Sequence, residues 1–280
     1  MVHRTLVSAG RLAAHLADPD WIVFDCRHDL ARPDWGEQEY GRAHIPGARF
    51  LHLDRDLSSP VNGNNGRHPL PDPEVLAAKL GKTGVEAEKQ VIAYDSQGGM
   101  CASRLWWLLR WLGHDAVAVL DGGWSGWIAD SRPQSTVIPE PANRVFRAAP
   151  RQASVGADYV LSRLQSPGML LLDARSPDRF RGENETLDPV GGRIPGAANR
   201  CFRDNLDANG RFKAPQLLRQ EILAVIGESK PQDMVHMCGS GVSACHNLLA
   251  MEIAGMGGGR LYAGSWSEWC ADPSRPIARG

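Results

Sequence analysis

The sequence lacks an apolar run of the roughly 18 residues needed to cross a bilayer. Its densest stretch, Leu105-Trp106-Trp107-Leu108-Leu109-Arg110-Trp111-Leu112, is short and carries Arg110, so no membrane partner is expected. It also lacks a Lys/Arg block: 31 basic residues face 32 acidic ones, for a net charge of −1, so no nucleic-acid partner is expected. The opening residues, Met1 to Gly10, show neither the apolar core of a signal peptide nor an Arg-rich transit pattern. Cysteine is sparse, six in 280 residues with no Cys-x-x-Cys pair, which does not resemble a disulfide framework. These absences together lead to the expectation of a cytoplasmic protein with at least one thiol free to react. What remains is ordinary globular material, 42% hydrophobic and 22% charged, which excludes disorder, collagen and coiled coil. The length suggests roughly two domains of about 150 residues each.

The chain repeats itself. Ile45-Pro46-Gly47-Ala48 returns as Ile194-Pro195-Gly196-Ala197, and Ile22-Val23-Phe24-Asp25-Cys26-Arg27 as Leu170-Leu171-Leu172-Asp173-Ala174-Arg175. Val91 to Asp95 corresponds to Met234 to Cys238, and Trp124-Ser125-Gly126-Trp127 to Trp266-Ser267-Glu268-Trp269, in the same order. A period of roughly 145 residues is too long for a solenoid and implies a duplicated domain. The halves are expected over 1–135 and 153–280, with 136–152 as linker, because Pro133, Pro139, Pro141 and Pro150 punctuate a stretch of little periodicity. In each half short apolar runs (21–25, 91–94 and 117–120; 170–173, 234–237 and 260–263) alternate with amphipathic ones (73–80 and 101–112; 217–226 and 242–254). This alternation predicts an α/β fold, a mostly parallel sheet flanked by helices, with ligands beyond the carboxyl ends of the strands.

The halves differ just after the central strand. The first has Asp95-Ser96-Gln97-Gly98-Gly99 there, the second Cys238-Gly239-Ser240-Gly241-Val242-Ser243, opening directly into a helix. Two glycines let a tight loop turn its N–H groups inward as a nest for negative charge, and the helix adds its positive end. That cradle suits an anionic sulfur, and a thiolate is the competent nucleophile. Asp95 at the equivalent place would repel an anionic substrate, so the first half is expected to be catalytically inactive.

Paired Asp-x-Arg, paired Ile-Pro-Gly-Ala and a Cys loop in the second half make the chain resemble the tandem rhodanese-domain sulfurtransferases over essentially its whole length. Within that family the loop Cys238-Gly239-Ser240-Gly241-Val242-Ser243 is similar to that of the 3-mercaptopyruvate sulfurtransferases. The resemblance implies that Cys238 takes sulfur from 3-mercaptopyruvate, releases pyruvate, and passes its persulfide sulfur to a thiol acceptor such as thioredoxin, or to cyanide. Thiosulfate is the alternative donor, and a non-catalytic persulfide relay the alternative of another class. The amides of Gly239, Ser240, Gly241, Val242 and Ser243 would hold the charged sulfur, and Arg179 matches the family's substrate-binding Arg. A second family Arg has no counterpart in Glu183-Asn184-Glu185-Thr186-Leu187-Asp188, and Arg193 is the weaker candidate to replace it. Asp54, His68 and Ser240 match a proton-handling group, which would bring residues of the first half into the chemistry.

Neither a cofactor nor a metal is expected. His236, Cys238, Cys245 and His246 crowd together, but Cys245 and His246 are adjacent on a helix and cannot face one point. Related phosphatase loops end in an Arg, whereas the sixth residue after Cys238 is Ala244. The Trp pairs and the Asp25/Arg27 and Asp173/Arg175 pairs occur in both halves, so they are read as structural. Cys26 and Cys101 are expected to be redox-sensitive if exposed.

Overall fold

The computed structural model describes residues 2–140, 143–164, 166 and 168–280. The chain forms two compact units. One comprises Met1–Ser59, Pro71–Gln152 and Ala208–Phe212, the other Pro60–Leu70, Ala153–Asp207 and Lys213–Gly280. Pro60–Leu70, which by chain position falls in the first repeat, thus packs in the second unit.

In the first unit, strands β1 (Leu6–Val7), β2 (Trp21–Asp25), β3 (Arg49–Phe50), β4 (Gln90–Tyr94) and β5 (Val117–Leu120) form a sheet of order β1-β5-β4-β2-β3. In the second, β6 (Ser154–Val155), β7 (Leu170–Asp173), β8 (Ala198–Asn199), β9 (Met234–Met237) and β10 (Arg260–Tyr262) repeat it as β6-β10-β9-β7-β8. Every pairing is parallel, and flanking helices bury the central strands, which is why they read as unbroken apolar runs. The register sets Asp173 of β7 beside Met237 of β9, so the buried Asp173 lies at the strand end next to Cys238.

The core of the first unit gathers Val23, Ile92, Tyr94, Leu120 and Trp127; that of the second gathers Leu171, Val235, Met237, Tyr262, Trp266 and Trp269. Buried indole N–H groups are satisfied by carbonyls, Trp127 by Pro133 at 2.8 Å, Trp266 by Val190 at 2.8 Å and Trp269 by Pro276 at 2.9 Å. The Asp/Arg pairs are internal braces: Arg27 reaches Asp25 at 2.6 Å beneath Trp124, and Arg175 reaches Asp173 at 2.7 Å beneath Trp266.

The stretch expected as a linker lies along the first unit. Arg144 N–H donates to the Gly81 carbonyl at 2.8 Å and Ala149 N–H to that of Leu112 at 2.9 Å, while Phe146 is buried. Pro141 and Ala142 of that stretch lie outside the described residues. No helix among the described residues is long and apolar enough to cross a membrane.

Candidate active site

β9 ends at Met237, and Cys238 follows as the first residue of the loop into the helix Ser243–Ile253. The loop turns on Gly241, whose φ of +78° suits glycine; a Cβ there would stand 2.4 Å from the Ala263 carbonyl oxygen. This close approach aims the Gly241 N–H at the sulfur, with N to Cys238 Sγ at 3.1 Å. Of the five loop amides expected to hold the sulfur, Gly241 alone bonds it among the described residues; those of Gly239, Ser240, Val242 and Ser243 do not. The helix behind them runs eleven residues and directs its positive end at the loop.

Ser265 was not legible in the sequence. Its φ is +54°, a left-handed conformation unusual for a residue with a Cβ. Its hydroxyl accepts the Cys238 N–H at 3.1 Å and donates to the Tyr262 carbonyl at 2.9 Å. With Trp266 N–H donating to the Cys238 carbonyl at 3.0 Å, both backbone groups of Cys238 are fixed.

The 60–70 segment lies against this loop within the second unit. Gly66, at φ +80°, runs so close to Gly264 that a Cβ would meet its carbonyl oxygen at 2.7 Å, and Arg67 N–H donates to Ser267 Oγ at 3.0 Å. So anchored, His68 shares a 2.7 Å hydrogen bond through Nδ1 with Ser240 Oγ, and both residues are buried.

On the other side of the loop, Arg179 sits at the last turn of the short helix Pro177–Arg181. Glu185 grips it through Nε and Nη2 at 2.8 to 3.2 Å, and Asp188 lies 3.5 Å from Nη2. Asp188 also pairs with Arg67 Nη1, and Glu185 stands 3.5 Å from Arg175. Burial pushes the Glu185 carboxyl up, but the Arg179 bonds and the Leu187 N–H outweigh it and hold the carboxyl below its ordinary range. Three guanidiniums (Arg67, Arg175, Arg179) therefore balance three carboxylates (Asp173, Glu185, Asp188) beside Cys238. The acidic half of this cluster was not read as part of the site from sequence, although Glu185 and Asp188 stand in the stretch where the family pattern breaks.

Other expected residues have partners of their own. Arg193 pairs with the Gly280 carbonyl, stacks over Phe180 at 4.9 Å and forms a backbone bridge with Ala278. Asp54 belongs to the first unit, its carboxylate 4.0 Å from His28 Nε2 and 3.9 Å from His52 Nδ1. That trio has metal-like composition, but His52 Nδ1 already accepts the Asp54 N–H at 3.1 Å, so its lone pair is engaged. Cys245 Sγ donates to the Gly241 carbonyl at 3.2 Å, and His246 Nδ1 meets Asn205 Nδ2 at 3.1 Å, neither converging on Cys238. Cys26 and Cys101 are buried and burial pushes both thiols well up, so the redox sensitivity expected of exposed thiols does not apply.

Comparison with known proteins places this geometry. The model of the rhodanese-like domain matches residues 8–130 and 156–272. A Pseudomonas aeruginosa protein named probable 3-mercaptopyruvate sulfurtransferase is 47% identical over 98% of each chain. A thiosulfate sulfurtransferase from Cricetulus griseus is 32% identical over 100% of this chain and 97% of its own. The solved structure of a 3-mercaptopyruvate sulfurtransferase from Leishmania major superposes with a TM-score of 0.84 at 30% identity, covering 95% of this chain and 74% of that one.

Proposed function

The chain belongs to the rhodanese-like family, and on that footing we propose that it is a sulfurtransferase moving sulfur from 3-mercaptopyruvate through a Cys238 persulfide to a thiol or cyanide acceptor. The observation that carries this reading is Cys238 in a Gly-x-Gly cradle, its sulfur held by Gly241 N–H and flanked by the Ser240/His68 pair.

Cys238 thiolate attacks the donor sulfur, and the carbon–sulfur bond breaks with its electron pair moving to carbon as the pyruvate enolate. The proton of the donor thiol is relayed by the Ser240 hydroxyl and His68 to that carbon, giving pyruvate and leaving sulfur on Cys238. In the second half, an acceptor thiolate attacks the outer sulfur and Cys238 leaves as thiolate, the acceptor departing as its persulfide. A cluster of three cations balanced by three carboxylates carries no net positive charge, which disfavours doubly charged thiosulfate more than singly charged mercaptopyruvate.

The test is steady-state kinetics with both donors and one thiol acceptor, with Cys238→Ser as control. A kcat/KM ratio of about tenfold or more for mercaptopyruvate, abolished in Cys238→Ser, upholds the reading. Preference for thiosulfate overturns the donor assignment, and turnover of neither donor leaves a persulfide relay.

A further inference from the structure

Two arginines, not one, reach the space beside Cys238. Around Gly239, the point where its Cβ would lie is 2.8 Å from Arg67 Nη2, 3.4 Å from Arg179 Nη2 and 3.6 Å from Arg179 Nη1. Each guanidinium is divided. Arg67 commits Nη1 to Asp188, and Arg179 commits Nε and Nη2 to Glu185. The other terminal nitrogens, Arg67 Nη2 and Arg179 Nη1, make no hydrogen bond among the described residues, and both stand at Gly239. Glycine at 239 keeps a Cβ from pressing on them.

We propose that Arg67 is a donor-binding residue of this site, its Nη2 holding the donor's carboxylate together with Arg179 Nη1, and that Asp188 is the residue that positions it. This rests on the sulfurtransferase reading above, with a carboxylate-bearing sulfur donor. Two N–H donors from different guanidiniums approach the two oxygens of a carboxylate from two sides, which fixes its orientation as well as its charge. Arg67 needs a tether for this, because a long side chain retaining 28% of its exposure would otherwise spend its freedom in solvent. Asp188 supplies one: it is 3% exposed, its backbone N–H donates to Glu185 Oε1 at 3.2 Å, and Glu185 clamps Arg179. One carboxylate pair therefore sets both arginines in register. The adjacent residue of the same segment, His68, bonds Ser240, so Arg67-His68 supplies donor binding and proton handling in consecutive positions.

The test uses a probe that does not depend on turnover. Iodoacetate presents a carboxylate beside a carbon that alkylates a thiolate, and iodoacetamide is its uncharged counterpart. Their rates of modification are read on the Cys238 peptide by mass spectrometry, alongside mercaptopyruvate kinetics. Arg67→Ala is expected to slow iodoacetate about tenfold or more, leave iodoacetamide within about twofold, and raise KM for mercaptopyruvate by a similar factor. Asp188→Asn is expected to raise KM with kcat within about twofold, and the double variant to lose less than the two single losses combined, because Asp188 acts in part through Arg67. An unchanged iodoacetate to iodoacetamide ratio in Arg67→Ala overturns the assignment, and additive losses in the double variant overturn the positioning role of Asp188. If the wild-type protein turns over no mercaptopyruvate while Arg67→Ala still loses iodoacetate selectivity, the anion site stands and the donor reading falls.

Discussion

Placing a methyl group at Gly239 should separate the binding of the donor from the stability of the fold. The Cβ of Gly239→Ala would press on Arg67 Nη2 at 2.8 Å and on the Arg179 nitrogens at 3.4 and 3.6 Å. All three are tips of long side chains, and Gly239 is absent from the residues with positive φ, so neither backbone strain nor a fixed wall opposes the methyl group. The side chains must retreat instead. Folding should change by less than about 1 kcal/mol, a shift of a few degrees in Tm at most. A charge-assisted hydrogen bond contributes about 1.5–3 kcal/mol, so displacing Arg67 Nη2 should lower kcat/KM about 10- to 150-fold. Pyruvate release at varied mercaptopyruvate, beside a thermal melt, reads both quantities. The reasoning is refuted if kcat/KM stays within about twofold, because the space beside Gly239 would then hold no part of the donor. A loss of activity matched by a large fall in Tm would refute it differently, by showing that the methyl group damages the fold.

The other loop glycine should behave in the opposite way. Gly241→Ala combines φ +78° with a Cβ 2.4 Å from the Ala263 carbonyl, a backbone atom, so it should destabilise by about 2 kcal/mol or more and remove the amide from Cys238; an unshifted Tm would sink this. His236 lies fully buried on β9, its two ring nitrogens without hydrogen-bond partners among the described residues, and burial lowers its pKa from 6.5 to about 4. Between those values the unfolded chain binds a proton that the folded one refuses, so stability is lost as pH falls through that window, by about 3 kcal/mol. His236→Leu should flatten this limb in urea titrations at about pH 7 and about pH 4.5; an identical pH dependence in the variant would count against it.

Much of the architecture was legible because it rests on local pattern. Trp21–Asp25, Val117–Leu120, Leu170–Asp173 and Met234–Met237 form strands at the predicted bounds, since buried parallel strands are continuous apolar runs. The two-residue strands β1, β3, β6 and β8 were not legible, being too short to show any period. The site divides along the same line. Cys238 and its glycines follow one another in the chain, and their meaning is local. Arg67 has no local signal: it reaches Gly239 because Gly66 can approach the Gly264 carbonyl and Ser267 can hold Arg67 N–H, contacts that no spacing in the sequence announces.

The duplicated half clarifies what the cradle is for. At the position of Cys238 the first unit has Asp95, whose carboxylate accepts the N–H groups of Gln97, Gly99, Cys101 and Ala102 at 2.7 to 2.9 Å. The loop is thus an anion nest in the first half, filled by its own carboxylate, and in the second half it turns a single amide to the Cys238 sulfur. The backbone that supports it is also shared: Trp124 N–H bonds the Asp95 carbonyl as Trp266 N–H bonds that of Cys238. The residue before each Trp is left-handed, Gly123 at φ +53° and Ser265 at φ +54°. Glycine adopts that conformation freely, whereas a serine there costs on the order of 1 kcal/mol. At this position the unit with Cys238 carries the strained residue, and what the strain secures is the hydroxyl that holds Cys238 N–H. The two halves therefore differ less in fold than in what the loop encloses, a carboxylate in one and the Cys238 sulfur in the other, and in what holds the backbone of that residue.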